Sequence, residues 1–166
     1  MMVRLLAAVA ATVLALSGCG SAPRAKLDMP FDQARAAELM APGTNTIKGS
    51  ALLRQRGGGI VTCAGREVNL VPATEYAKKR MAMIFGSSPI SSGLYFEYTP
   101  PAYFVFSRTA TCNAQGFFTF DKLADGEFFV TSSVTWETSY STQGGWLMTR
   151  FTLAGGETKE GVLTAN

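Results

Sequence analysis

Residues 116–130 read GFFTFDKLADGEFFV, and no other stretch narrows the possible folds as far. Taken with a period of two, Phe118 and Phe120 share one face of the first run. On the second run Phe128, Val130, Val134 and Trp136 share a face, while Thr131, Ser133 and Thr135 point the other way. Each large apolar side chain taken out of water contributes about 1.5–3 kcal/mol, so a hairpin with such a face belongs in a core. Asp121, Asp125 and Glu127 surround the turn, but their spacing lacks the regular oxygen-ligand pattern of a calcium loop. Asp-Gly is a common turn pair. The stretch reads as scaffold, with no metal site in it.

Much of the chain repeats that character. In TIKGSALL, Ile47, Ala51 and Leu53 fall on one face and Lys48 and Ser50 on the other. A turn at Arg56–Gly59 leads into IVTCAG, and REVNLVPA sets Val68 and Leu70 on a common face before Pro72 closes the strand. YFVFSRTATC, EFFVTSSVTW, GWLMTRFTL and ETKEGVLTA are rich in Phe, Thr, Val and Trp, the composition of strands. Asp125-Gly126 and Gly155-Gly156 supply turns. The period changes over TEYAKKRMAMIF, where Ala77, Met81, Ile84 and Phe85 share a helical face, Thr74 is an N-cap and Gly86 a stop. FDQARAAELM, 31–40, has the composition of a second short helix, and residues 87–103 read as a proline-punctuated loop. The expected fold is mainly β: a transthyretin-like or Ig-like β-sandwich with one or two short helices.

The first twenty residues, MMVRLLAAVAATVLALSGCG, place Arg4 before an apolar run from Leu5 to Leu16 and small residues after it. That is the layout of a secretory signal peptide, and it is short for a membrane span, which needs about 20 apolar residues. Leu16-Ser17-Gly18-Cys19 resembles the lipobox of bacterial lipoproteins. The resemblance implies cleavage after Gly18 and fatty acylation (palmitate among the chains) of Cys19, and two or more chains hold a domain stably at a membrane. Gly20, rather than an aspartate, follows the cysteine, which by the same resemblance favours the outer membrane. The expected organisation is a signal peptide at 1–18, a lipid-anchored tether at 19–30 and a short helix and linker at 31–44. One domain, 45–166, then follows.

With Cys19 acylated, Cys63 and Cys112 remain for an oxidising compartment. A bridge between them would close a loop of about 50 residues, worth roughly 4 kcal/mol in the chain-entropy model; two buried free thiols are the alternative. No CxxC and no histidine occur anywhere, which argues against a metal site. Removing Arg4 from a net charge of +3 leaves +2 without any basic run, so nothing points to nucleic acid. No cofactor is implied.

TCNAQGFFTFDKLADGEFFVTSSVTW resembles the G-x-F-x-F, G-x-Y-x-V hairpin of carboxypeptidase-regulatory-like domains, which are transthyretin-like sandwiches. IKGSALLRQRGGGIVTCAGREVNLVPATEY is similar to their opening strands and MTRFTLAGGETKEGVLTA to their closing pair. The resemblance spans about residues 45–164, with 74–102 as an inserted helix and loop, and also extends to exported proteobacterial proteins carrying such a domain. It implies a fold and no activity.

Three functions fit this reading. The first is a non-catalytic envelope lipoprotein binding an envelope protein or glycan. Its candidate surface is the hairpin from Trp136 to Trp146 with Tyr140 at its polar tip, joined by Tyr95 and Tyr98 from the proline loop. The competing view of the two tryptophans is that they pair across strands and fill the sandwich edge. The second function is an inhibitor of a lysozyme or protease, with the loop 91–101 plugging a cleft. The third, an enzyme, finds little support: without histidine the usual nucleophile–base pairs are unavailable. Ser91, Ser92, or Glu97 with Glu137 stand at spacings that favour none of them, and no catalytic residue is assigned.

Overall fold

The computed structural model describes residues 24–165, so the expected signal segment and the acylation site Cys19 lie outside the described residues. In order the elements are β1 (Arg24–Ala25), α1 (Gln33–Met40), β2 (Pro42–Arg54), β3 (Ile60–Thr62), β4 (Glu67–Pro72), α2 (Glu75–Phe85), β5 (Tyr95–Phe96), α3 (Pro101–Val105), β6 (Arg108–Thr111), β7 (Phe117–Leu123), β8 (Gly126–Glu137), β9 (Thr142–Leu153) and β10 (Thr158–Leu163). In one sheet β2 is central, with β10 parallel to it and β7 and β3 antiparallel. The other runs β6-β4-β8-β9, antiparallel throughout. The expected β-sandwich is what forms.

Between the sheets lie the alternating residues of both: Ile47, Ala51 and Leu53 of β2, Val68 and Leu70 of β4, Phe118 and Phe120 of β7, and Phe128, Val130 and Val134 of β8. Two glycines make room for the largest of them. Gly49 and Gly161 stand opposite each other in the β2–β10 pair, and a Cβ on them would run into the rings of Phe118 and Phe151 respectively.

The Phe-rich stretch packs as expected but is connected otherwise. It is not a hairpin. β7 pairs with β2, through Phe118↔Gly49 and Ile47↔Phe120, whereas β8 pairs with β4 and β9. The chain arches from one sheet to the other at Ala124–Asp125, with Lys122 (φ 54°) and Gly126 (φ 148°) in positive-φ conformations. The two phenylalanine faces therefore meet across the sandwich. Asn45, fully buried, holds this arch: its Nδ2 donates to the Leu123 carbonyl (3.0 Å) and Asp125 Oδ1 (2.8 Å). Its Oδ1 accepts from the Gly156 and Glu157 amides (2.8 and 2.9 Å), on the crossover from β9 to β10. Asp125 also accepts from the Gly155 amide, so its carboxylate serves the turns.

The sheet containing β8 is also covered on part of its outer face. Val71 and Phe129 on its outer face pack under Tyr76, Ala77, Met81 and Phe85 of α2 and Tyr103 of α3, making a third, helical layer. α2 runs between the expected stops, with Thr74 Oγ1 accepting from the Ala77 amide and Gly86 at φ 56°. Residues 103–106, expected as the start of a strand, instead enter a short helix. Pro101 presets its first turn, Tyr103 is buried beneath it, and the strand begins only at Arg108.

Cys63 and Cys112 form a disulfide with Cα atoms 5.8 Å apart, which settles the choice against free thiols. It follows β3 at one end and β6 at the other, and so joins the two sheets.

Candidate functional site

α2, α3 and the segment 91–95 leave part of the outer face of the β6-β4-β8-β9 sheet uncovered, forming a cleft of about 390 Å³. Its floor comes from strand residues pointing away from the sandwich core. Asn69 on β4 lies directly opposite Thr131 on β8, and Trp146 on β9 lies opposite Ser133. Among the described residues neither the Asn69 amide nor the Thr131 hydroxyl has a side-chain hydrogen-bond partner, so both remain available to a ligand.

Met81, Ile84 and Phe85 of α2 line one wall, and Tyr103 and Phe104 of α3 another. The third wall is chain pinned flat on the domain. The Ser91 amide donates to the Trp146 carbonyl (2.9 Å), the Ser92 amide to the Ile84 carbonyl (2.8 Å), and the Glu97 amide to the Ala25 carbonyl (3.0 Å). β5 pairs with β1, which fixes Tyr95 at the mouth. The rim is aromatic and exposed: Tyr95 is 65% accessible, Phe104 62% and Trp146 47%.

One charge enters this lining. Arg80 is half-buried, its guanidinium 4.2 Å from the centroid of Phe96 and 5.1 Å from that of Tyr103, with Nη1 donating to Thr99 Oγ1 (3.0 Å). No carboxylate lines the cleft, and Arg80 has no ion-pair partner among the described residues. Burial pushes the Tyr103 phenol up to about 12, partly opposed by the positive charge of Arg80, so it stays protonated.

The five surface candidates separate in space. Trp146 and Tyr95 come together at the cleft, although they belong to different elements. Trp136 does not join them: it stands opposite Gln143 in the β8–β9 ladder and packs against the sandwich core. The two tryptophans thus neither pair across strands nor share a face. Tyr140 is 97% exposed at a tip closed by Thr138 and Ser141, and Tyr98 is exposed outside the cleft lining. Ser91 lines the cleft, Ser92 donates its hydroxyl to the Ile84 carbonyl, and neither Glu97 nor Glu137 reaches the lining.

Asn69, Thr131, Arg80 and Phe104 escape the sequence reading. Asn69 looks like the solvated residue between two core positions, and Arg80 like one more cation beside Lys78 and Lys79 on a polar helix face. Nothing local distinguishes a polar face over solvent from one over a cleft.

No family model matches the chain, and no curated protein does. Among solved structures, the crystal structure of a "putative carbohydrate binding protein" from Pseudomonas aeruginosa is similar to it: TM-score 0.67, 26% identity, 82% of this chain covered and 99% of that one.

Proposed function

We propose that the chain is a non-catalytic glycan-binding module held to the bacterial envelope by acyl chains on Cys19, with the cleft on the outer sheet face as its binding site. The observation that carries this reading is the half-exposed Trp146 at the mouth of a cleft whose floor presents the unpartnered Asn69 amide and Thr131 hydroxyl. Sugars need that combination: an aromatic face for the C–H side of the ring and fixed polar groups for its hydroxyls. The likeness to a structure described as a carbohydrate binding protein supports it. The absence of carboxylates from the cleft lining favours binding over acid–base chemistry there. The inhibitor reading loses ground, because the segment 91–97 lies along the domain as a wall instead of projecting.

Binding of oligosaccharides, followed by tryptophan fluorescence and calorimetry, tests the site. Trp146→Ala is expected to abolish binding with an unchanged melting temperature, whereas Tyr140→Ala leaves binding intact. The reverse pattern would move the site to the hairpin tip. The anchor is tested separately: Cys19→Ser should release the protein from the membrane fraction and remove the mass of the acyl chains.

A further inference from the structure

A neutral sugar explains the aromatic rim and the polar floor, but it leaves Arg80 without a role. A guanidinium offers five donors in a planar fork; one goes to Thr99 Oγ1 and the Tyr103 hydroxyl is close enough to take another, which leaves the rest of the fork unused. Stacking on Phe96 and Tyr103 holds the group in place without neutralising it. No aspartate or glutamate lies within ion-pair distance of it among the described residues, and none lines the cleft. A half-buried cation in a lining without any carboxylate is a site prepared for an anion supplied from outside.

We infer that the cleft selects acidic sugars, the carboxylate of a hexuronic acid residue docking on the free edge of Arg80 while its ring stacks at the aromatic rim formed by Trp146 and Tyr95. This rests on the glycan-binding reading of the same cleft. Three features favour a carboxylate over other anions. The planar fork matches its two oxygens. A single cation balances its single charge, where a phosphate monoester carries about −1.5 to −2. The mainly apolar walls fit the C–H face of a pyranose and offer little to a free inorganic ion.

The experiment compares the full-length chain, as produced by the cell, on tetrasaccharides of galacturonate and of mannuronate, each beside its carboxyl-reduced neutral counterpart. A sulfated galactan oligosaccharide is included as a different anion. The expected result is binding of at least one uronide about tenfold or more tighter than its reduced form, weakened by added salt. Arg80→Gln should erase that preference, so that the uronide binds no tighter than its reduced form, and Arg80→Lys should recover only part of it, because a point charge lacks the fork. Carboxyl reduction alters the ligand and not the protein, so this comparison stands even if an Arg80 variant folds poorly.

Equal binding of uronides and reduced sugars would overturn the acidic preference while the glycan reading survived. Preference for the sulfated galactan over the uronides would overturn the carboxylate assignment. No binding of any oligosaccharide, charged or neutral, would overturn the glycan reading and this inference with it.

Discussion

At the scale of single residues, buried polar groups decide more than the hydrophobic ones. Asn45 ties the β7–β8 arch to the β9–β10 crossover, and every one of its bonds goes to a backbone or carboxylate partner in those turns. Asn45→Ala removes all four of these bonds from a fully buried position and leaves the Gly156 and Glu157 amides without their acceptor, and should cost about 3 kcal/mol. A urea titration reads this directly, and a loss under about 1 kcal/mol would mean that water replaces the side chain. Tyr103 adds a pH dependence. Its folded-state value of about 12 lies above the ordinary 10, so its contribution is fully present below about pH 10 and is lost as pH rises through about 12. Compared with Tyr103→Phe, the wild type should lose about 2–3 kcal/mol between pH 9 and 12. Parallel stability curves for the two proteins would show that the phenol is better solvated than its position implies.

At the scale of elements, β8 is unusual in being buried on both faces, by the sandwich on one side and by α2 and α3 on the other. Phe128 faces inward and Phe129 outward, at 0% and 5% exposure. If the outer face were solvated, as in a two-layer sandwich, Phe129→Ala would be nearly neutral. Beneath a helical layer it should cost about 3–5 kcal/mol, as much as Phe128→Ala. Chemical denaturation of the two variants separates the architectures. Legibility differed sharply between elements. The limits of α2 could be read from Thr74 and Gly86 because caps act within a turn of chain. The helical turn at 101–105 could not, because YFVF is apolar and aromatic in either conformation and the burial of Tyr103 decides. The Phe-rich pair of strands was legible in its faces and not in its partners.

For the whole molecule, the disulfide adds a side-chain cross-link between the two sheets. It joins residues 49 apart in sequence, and in the chain-entropy model it stabilises by about 4 kcal/mol. The Cys63→Ser/Cys112→Ser double variant should unfold at a lower denaturant concentration by that amount while keeping its β-rich circular dichroism. Loss of folded structure altogether would mean that the non-covalent core cannot hold the sheets together alone.

By itself the sequence determined the β class, the inward face of most strands, the ends of α2 and the candidate cysteine pair. Those follow from side-chain alternation, capping and a count of thiols, all of which are local or compositional. Tertiary structure alone decided that β7 and β8 pair in opposite sheets, that helices cover the outer face of one of them, and that Asn69, Arg80, Tyr95 and Trp146 line one cleft. The physical reason is that period-two alternation specifies which way a side chain points but not which strand lies beside it. A hairpin and an arch carry the same pattern, and a polar residue pointing outward meets solvent or a binding cleft according to what the rest of the chain packs above it.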